Sequence, residues 1–544
     1  MRGSPCTAIP SATRCTRHWP RVRCRRRAPP RAAASPRCRS CRSCATSATR
    51  SRAPTRPASS PRSTRSGAAP RRRPTSASRT ARSRSTTSAR TSTARSRSAP
   101  SPPRVTLPAT SPDRRRPPIG AAPATRSDTR RASTTDVLIV GGGPAGATAA
   151  VWLARLGHHV TVVERRVFPR SKACGDVLTP RAVRQLRDLA VEPDDLGWHR
   201  LGAVRLERGD RSLELPWPSH DGAATFAVVA RRRELDVTML DLAAAAGAEV
   251  RSGHDAVEPI VTRGFVRGAI VRSPGGALHD IPARYVLVAD GANSPFGRSL
   301  GTFRTRRWPF AAAIRSYWPS PHTDDGALHL GLDLRDRAGA ALPGYGWVAP
   351  VGDGTVNIGV GLLSTARDFK GTNVAHLLDG FVAQVADRWQ IDPAGSTGVV
   401  RVGRVPMGGS VQPTAGPTFL VVGDAAGVAS PFTGAGIDAA METGRMAADV
   451  LHDALADAGP TALQRYPRLV ADTYAEQYQL ARLWGRVLGR PAAMTRVTAA
   501  AVRSRLVSET LLRIMSGALR RDEFGAPETV ARLASTVLPL APEA

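Results

Sequence analysis

A short run of apolar, β-branched residues at 136–140 opens the first regular hydrophobic pattern in the chain and predicts a buried strand. The apolar and alanine positions that follow keep helical spacing to about Leu156, and Gly157 ends that helix. A second apolar run over 159–163 predicts another strand, which leads directly into Glu164. Strand, helix and strand in this order form a βαβ unit, and such units build parallel sheets covered by helices.

The turn between the first strand and the helix is rich in glycine. It reads Gly141-Gly-Gly143-Pro-Ala-Gly146, and Glu164 follows 23 residues after Gly141. The first glycine permits a tight turn, the second lets the backbone approach a pyrophosphate, and the third lets the helix pack close to the strand. The helix N-terminus stabilises phosphate charge, and Glu164 can accept hydrogen bonds from a ribose. This context predicts a dinucleotide site and leaves NAD and FAD both open.

Two later strands favour FAD. One apolar strand ends at Asp290, and another, over 419–422, ends at Asp424. At the end of such a strand, Asp424 can reach the ribityl hydroxyls of a flavin. A helix predicted from about Asp438 follows Gly436-Ile437, and its N-terminus can face the pyrimidine edge of the isoalloxazine, where negative charge gathers on reduction.

These three spaced motifs resemble those of the FAD-dependent monooxygenase and geranylgeranyl reductase superfamily over roughly residues 134–495. Within that stretch, the segment Phe168–Pro180 resembles the FPR-x-K-x-CG-x-x-L-x-P segment of geranylgeranyl reductases. It contains Lys172, in a chain that has only two lysines against 76 arginines. The resemblance implies that the turn of Cys174 and Gly175 lies near the flavin ring.

Further segments extend the resemblance toward the actinobacterial menaquinone reductase branch. The run 342–350 resembles the family's Y-x-W-x-F-P strand, which implies that Tyr345 and Trp347 line the substrate cavity. The segment 230–236 resembles the one whose arginine contacts FAD, and its register favours Arg232 over Arg231. Departures from the pattern concern the shape of the cavity. Asp176-Val177 stands where Gly-Gly or Asp-Gly is frequent, Ala349 replaces an aromatic residue, and Ala435 replaces a glutamate.

The expected site divides into two sets of residues and holds no metal. The residues expected at the reaction face are Cys174, Gly175, Tyr345 and Trp347. The residues expected to bind FAD are Gly141, Gly143, Ala145, Gly146, Glu164, Arg165, Cys174, Gly175, Asp176, Arg232, Asp290, Asp424, Gly436 and Ile437.

The predicted fold class is α/β. A Rossmann-type FAD-binding domain (134–196, 231–301 and 413–456) receives an antiparallel β-sheet substrate domain built from two insertions (197–230 and 302–412), and 457–544 form C-terminal helices. Tyr474, Tyr478 and Trp484 recur there at helical spacing. That stripe is interpreted either as a cap packed on the core, or as the wall of a lipid-tail tunnel or a membrane-surface contact.

Composition sets residues 1–133 apart. They carry 33 Arg and 2 Asp, whereas the rest of the chain has 45 basic and 41 acidic residues, so the net charge of +35 belongs almost wholly to this segment. Its Arg, Ser, Thr, Ala and Pro content predicts a disordered tail, and we interpret it as an over-extended translation start. The chain therefore gives no case for nucleic-acid binding. Cys174 is the only cysteine after residue 133, which suits a cytoplasmic protein.

The predicted function is reduction of a carbon–carbon double bond in an isoprenoid chain, of a prenyl quinone or a geranylgeranyl lipid, by hydride from reduced FAD. A lipid substrate implies peripheral contact with the inner face of the membrane. The electron donor, NAD(P)H or ferredoxin, stays open because no second glycine-rich motif is visible. The alternatives are a monooxygenase or halogenase acting on an aromatic substrate, or a flavin-binding electron carrier.

Overall fold

The computed structural model describes residues 134–218, 224–306 and 308–516. The predicted tail, and residues 517–544 of the predicted C-terminal helices, lie outside the described residues. The strands are β1 Thr135–Val140, β2 Val160–Glu164, β3 Val177–Leu178, β4 His199–Leu201, β5 Ala203–Arg208, β6 Arg211–Pro216, β7 Ala227–Val229, β8 Glu249–Ser252, β9 Asp255–Thr262, β10 Phe265–Arg272, β11 Leu278–Val288, β12 Phe303–Arg304, β13 Phe310–Pro319, β14 Ala327–Gly331, β15 Gly344–Pro350, β16 Thr355–Leu363, β17 Arg401–Pro406, β18 Val411–Gln412 and β19 Phe419–Val421. The α-helices are α1 Pro144–Arg155, α2 Pro180–Asp188, α3 Arg232–Ala245, α4 Pro295–Ser299, α5 Val374–Trp389, α6 Ile437–Asp453, α7 Tyr466–Leu488, α8 Pro491–Ala501 and α9 Arg505–Ser516.

The first sheet has a parallel part and an antiparallel part. Its parallel strands lie in the order β8-β2-β1-β11-β19, and β10 and β9 continue antiparallel from the first half of the long strand β11. Val137 and Leu138 of β1 are fully buried and belong to different clusters, one on each face of the sheet. Burial on both faces explains why this strand is apolar throughout instead of alternating. The Rossmann-type prediction is confirmed.

Helices α1 and α6 pack on one face of this sheet with their backbones almost in contact. A Cβ at Gly444 of α6 would lie 2.3 Å from the Ala145 carbonyl oxygen of α1. The close approach brings the first turns of both helices to the same end of the sheet, where β1 and β19 finish.

The second sheet has the order β17-β13-β16-β15-β14-β5-β6. Its neighbours pair antiparallel, as predicted, except that β5 and β14 run parallel. The parallel pair arises because β5 and β6 come from an earlier part of the chain and join the sheet as a finished hairpin. Helix α5 covers one face, and a Cβ at Gly346 would meet the Phe381 ring at 2.4 Å. A small third sheet, β3-β7-β4, takes β4 and β7 from the first predicted insertion and β3 from the segment before it.

The C-terminal helices pack on the body of the protein. Tyr474 and Tyr478 stack with ring centroids 5.3 Å apart and belong to a core cluster of the first sheet, so this stripe is a cap and does not line the cavity described below. Leu512 of α9 instead packs against the second sheet. No helix within the described ranges combines the length and the apolar character needed to span a bilayer.

Candidate active site

One cavity of about 980 Å³ lies where the ends of the parallel strands meet the second sheet. It brings together 14 of the 16 residues expected at the site, and the two that stay outside its lining are Gly146 and Asp176. The predicted residues that line it are Gly141, Gly143, Ala145, Glu164, Arg165, Cys174, Gly175, Arg232, Asp290, Tyr345, Trp347, Asp424, Gly436 and Ile437.

The glycines of the turn between β1 and α1 differ in whether the protein leaves room for a side chain. Gly141 has a φ of +108°, and its Cβ would lie 2.3 Å from the Ala289 carbonyl oxygen. A Cβ at Gly146 would lie 2.0 Å from the Gly141 carbonyl oxygen, which explains why this residue packs inside the turn and does not line the cavity. At Gly143 a Cβ would meet only an Arg170 nitrogen, at 3.6 Å. The protein itself therefore has room for a side chain at Gly143, and the space beside it is cavity.

Two helix N-termini open onto the cavity. Helix α1 begins after Gly143 and α6 begins after Gly436, and neither glycine has a side chain that could cap the first backbone N–H groups. Eight basic and four acidic side chains line the cavity. Free helix N-termini in a basic pocket attract anions, so the observed cradle fits the diphosphate of FAD.

Glu164, at the end of β2, is held by the backbone around it. Its carboxylate accepts hydrogen bonds from the N–H groups of Gly142 at 3.0 Å and Arg166 at 2.9 Å. The nearby Arg232 side chain is buried and makes a bidentate pair with Asp236, in which the Nε–Oδ1 and Nη2–Oδ2 distances are both 3.0 Å. Arg231 points elsewhere, stacking on the Tyr317 ring at 4.3 Å. The structure therefore places Arg232, not Arg231, at the cavity.

The ends of β11 and β19 each supply an acid. Asp290 accepts a hydrogen bond from the Phe296 N–H at 2.9 Å, and burial raises the pKa of its carboxyl. Asp424 forms an ion pair with Lys172 at 2.8 Å. Burial alone would raise the pKa of Asp424, but the Lys172 charge outweighs it and the pKa is lowered. An ionised Asp424 beside Gly436 can accept hydrogen bonds from sugar-like hydroxyl groups.

Two side chains of the second sheet hold the Cys174-Gly175 turn by hydrogen bonds. The Cys174 carbonyl oxygen accepts hydrogen bonds from Arg315 at 3.2 Å and from the Asn357 amide at 3.1 Å. Arg315 also donates to the Lys172 carbonyl oxygen at 2.7 Å. Burial first, and the Asp176 charge second, raise the pKa of the Cys174 thiol, so the thiol is protonated at neutral pH.

Asp176 lies beneath this turn, completely buried and outside the cavity lining. Its carboxylate accepts hydrogen bonds from the Asn357 amide at 2.9 Å, the Arg232 N–H at 3.3 Å and the Tyr317 hydroxyl. The backbone of Asp176 has a φ of +61°, in the left-handed region that few residues other than glycine, asparagine and aspartate tolerate. In the structure Asp176 supports the turn, whereas the sequence predicted that it binds FAD.

Tyr345 and Trp347 project from β15 on the cavity side. The Trp347 indole N–H donates to the Asn357 amide oxygen at 3.1 Å, and its ring packs flat over Gly359, where a Cβ would lie 2.2 Å away. A Cβ at Gly175 would lie 3.2 Å from the same indole nitrogen. The Tyr345 hydroxyl donates to the Thr433 carbonyl oxygen at 2.5 Å, and burial raises the pKa of Tyr345 to about 12.

Beyond Trp347 the cavity becomes apolar. Its lining there comes from β5, β14, α9 and the residue that follows β6, and the lining residues belong to one hydrophobic cluster. The apolar lining residues are Val204, Trp217, Leu328, Leu330 and Leu512. The Cys174-Gly175 turn and Trp347 thus stand where a basic, glycine-lined compartment meets an apolar one.

Several functional side chains were missed from the sequence. Arg315, Tyr317 and Asn357 are all buried, and all three hold the Cys174 turn or its support Asp176. The sequence carried a signal for two of them, because Arg315 and Asn357 interrupt strands that are otherwise apolar. A buried polar residue in such a strand needs a partner.

Known proteins resemble this chain in both sequence and structure. Residues 134–321 match the FAD binding domain family. Menaquinone reductase of Mycobacterium tuberculosis is 35% identical over 397 residues, which cover 72% of this chain and 93% of that protein. The chain belongs to this family of FAD-dependent reductases. FAD is accordingly its cofactor, and the predicted family is confirmed.

More distant relatives widen the family. Digeranylgeranylglycerophospholipid reductase 1 of Methanopyrus kandleri is 31% identical over 64% of this chain and 88% of that protein. The crystal structure of a geranylgeranyl bacteriochlorophyll reductase-like protein from Thermoplasma acidophilum aligns with a TM-score of 0.61 and 25% identity, over 74% of this chain and 100% of that one. Flavin-dependent halogenases align at 18–20% identity, which shows the fold alone.

Proposed function

We propose that this FAD-dependent reductase saturates one carbon–carbon double bond in the prenyl chain of a quinone. The observation that carries the proposal is the junction in the cavity. A basic, glycine-lined compartment suited to FAD opens at Cys174, Gly175 and Trp347 into an apolar compartment suited to an isoprenoid chain. The names of the menaquinone and digeranylgeranylglycerophospholipid reductases support the substrate class.

The cofactor would be held by residues already in place. The N-termini of α1 and α6 and the basic lining would hold its diphosphate and pyrimidine edge, Glu164 its ribose, and Asp424 its ribityl chain. Reduced FAD, when bound, supplies a hydride equivalent to one alkene carbon. An isolated alkene develops no oxyanion, so the protein contributes chiefly by positioning the substrate and excluding water.

The second alkene carbon must receive a proton, and we assign that proton to the Cys174 thiol. Its sulfur accepts the Asp176 N–H at 3.3 Å, which leaves the S–H directed away from that bond. Tyr345 also lines the cavity with a protonated hydroxyl, but its hydrogen is engaged by the Thr433 carbonyl oxygen. Solvent must then return a proton to Cys174 before the next turnover.

Two partners belong to the same proposal. A quinone with a prenyl tail resides in a bilayer, so we propose peripheral contact with the membrane during substrate uptake. The electron donor is either NAD(P)H or ferredoxin. Adding each donor to the oxidised holoenzyme and following bleaching of the flavin absorbance distinguishes the two.

The function is tested by incubating the purified protein with chemically reduced FAD under nitrogen, with either menaquinone or a geranylgeranyl lipid. We expect a gain of two mass units on the prenyl chain of the quinone. A gain of two mass units on the geranylgeranyl lipid alone would show that the substrate belongs to that class instead. A parallel reaction with oxygen and aromatic substrates is the control, and product formed only in the presence of oxygen would overturn the proposal.

A further inference from the structure

Exposed apolar side chains lie along the outer strand β17 and beside its end. Ten large hydrophobic side chains of the described part are strongly exposed, and four of them fall in two short stretches. Phe303 is 61% exposed, and Val399, Val400 and Val402 are 49–67% exposed. Single exposed apolar residues are ordinary, whereas a cluster of them marks a contact surface.

Strand β17 links the two stretches. Val399 and Val400 directly precede it, and at its other end Pro406 pairs with Phe310, the first residue of β13. The guanidinium of Arg304 lies 4.8 Å from the centre of the Phe310 ring, and that of Arg404 lies 5.8 Å from it. We call the surface that runs along β17 to this ring the basic apolar face, formed by Phe303, Arg304, Arg306, Val399, Val400, Arg401, Val402 and Arg404.

The arginines of this face lack acidic partners. Arg304, Arg306, Arg401 and Arg404 are exposed, and within the described ranges none of them forms an ion pair with a carboxylate. Partial burial and the charge of Arg404 lower the pKa of Arg304, as expected for neighbouring guanidiniums with no anion between them. Asp368, on the loop that carries Phe369, is engaged by the Gly371 N–H at 3.1 Å. The face is therefore complementary to an anionic surface.

Part of the face borders the cavity. Arg401, Val402 and Arg404 are exposed and at the same time line the cavity, together with Phe310 and Phe369. Strand β17 is the outermost strand of its sheet. Exposed arginines on an outer strand discourage pairing with a strand of another protein, so the face suits a fluid surface better than a second sheet.

We propose that the basic apolar face docks on an anionic lipid bilayer and admits the prenyl substrate to the cavity directly from the membrane. The valines and Phe303 would enter the boundary between headgroups and acyl chains, while the arginines bind lipid phosphates. The proposal rests on the proposed function for the substrate and for the membrane contact that the substrate implies, and it adds the surface that makes this contact. The docking itself is measured without turnover.

The first test maps hydrogen–deuterium exchange of the full chain on phosphatidylglycerol vesicles and on phosphatidylcholine vesicles. We expect the basic residues 1–133 to bind anionic vesicles by themselves. Binding of the whole protein to the vesicles therefore does not test the proposal, whereas the position of the protected residues does. We expect protection of 303–306 and 399–404 on phosphatidylglycerol only. Protection elsewhere in the described ranges with none at these two stretches would overturn the proposal.

The second test uses variants that do not line the cavity. Val399→Asp/Val400→Asp should abolish the local protection and lower turnover of a vesicle-borne quinone at least tenfold, with turnover of the same quinone in detergent unchanged. Arg304→Glu/Arg306→Glu should remove the preference for phosphatidylglycerol. We expect each substituted arginine to lower the affinity for phosphatidylglycerol vesicles about fivefold. Phe265→Asp/Leu278→Asp, at exposed apolar residues elsewhere, is the matched control. An equal loss in the control would overturn the proposal, whereas no turnover in detergent with local protection intact would count against the proposed function alone.

Discussion

The Lys172 ammonium lies 2.8 Å from the Asp424 carboxylate and thereby ties the segment that precedes the Cys174 turn to the end of the last parallel strand. Both residues line the cavity, and both are largely withdrawn from solvent, at 35% and 21% exposure of their side chains. Lysine is otherwise almost absent from the chain. The pair keeps a buried carboxylate ionised at the point where FAD hydroxyls would be recognised.

Replacement of Lys172 by methionine should weaken FAD binding about ten- to hundredfold, because a charge-assisted hydrogen bond contributes roughly 1.5–3 kcal/mol. Burial remains without the lysine, so the pKa of Asp424 should rise above its ordinary value. The loss should therefore be larger at pH 5 than at pH 7, as measured by flavin fluorescence titration. Lys370→Met, at the exposed second lysine, is the control and should leave the affinity unchanged. Equal affinities for Lys172→Met and the wild-type protein across this pH range would contradict the assignment.

The part of the site that binds the dinucleotide was predictable because its residues are fixed by the backbone. Gly141 and Gly146 each face a carbonyl oxygen too close for a side chain, and such constraints appear in sequence as spacing between a strand and a helix. The family resemblance then placed Cys174 and Trp347, and the structure gathers them around the same cavity.

The support of the Cys174 turn was not predictable, since it depends on side chains distant in sequence. Asn357 lies on β16 and Arg315 on β13, and only the pairing of these two strands brings both to the Cys174 carbonyl. Asp176 was expected at the cofactor for a related reason. Its position in the motif is local information, but the direction of its side chain depends on the sheet beneath it.

Asp176 should matter for stability and for the geometry of the turn. Asp176→Ala removes the acceptor of three hydrogen bonds and keeps a backbone with φ of +61°, so we expect a loss of about 3–4 kcal/mol in the free energy of unfolding. Asp176→Asn keeps the shape and tolerates this backbone conformation, and should cost about 1 kcal/mol. Urea denaturation measures both. A loss of only about 1 kcal/mol in both variants would show that the carboxylate hydrogen bonds contribute little.

Gly143 and Gly146 should respond oppositely to alanine. At Gly143 the added Cβ meets only Arg170 at 3.6 Å, so the fold should lose no more than about 1 kcal/mol while FAD binding is strongly reduced. At Gly146 the Cβ would lie 2.0 Å from a carbonyl oxygen, so the apoprotein itself should be destabilised. Thermal unfolding of the apoprotein, measured beside flavin titration, separates the two effects. A Gly143→Ala variant with normal FAD affinity would remove this turn from the diphosphate site.

The raised pKa of Cys174 predicts slow alkylation. Burial, followed by the Asp176 charge, favours the neutral thiol, and only the thiolate reacts with iodoacetamide. Below the raised pKa the thiol stays protonated, so labelling at pH 8 should be slower than that of the same peptide in urea and should accelerate as the pH increases. Asp176→Asn removes one of the two causes and should raise the labelling rate at pH 8. Peptide mass spectrometry isolates this cysteine from the six before residue 133.

Substituting Cys174 and Tyr345 separately shows which of these two protonated side chains donates the proton. Cys174→Ala should lower kcat for alkene reduction by about 10²–10⁴-fold with KM nearly constant, because a positioned general acid contributes that much to the chemical step. Tyr345→Phe should alter kcat little, since the Tyr345 hydrogen is already bonded to the Thr433 carbonyl oxygen at 2.5 Å, and should raise KM by loosening that contact. Single-turnover kinetics under nitrogen with prereduced enzyme measure the chemical step for each variant. If Tyr345→Phe loses kcat and Cys174→Ala keeps it, the tyrosine hydroxyl is the donor and the cysteine serves only to shape the turn.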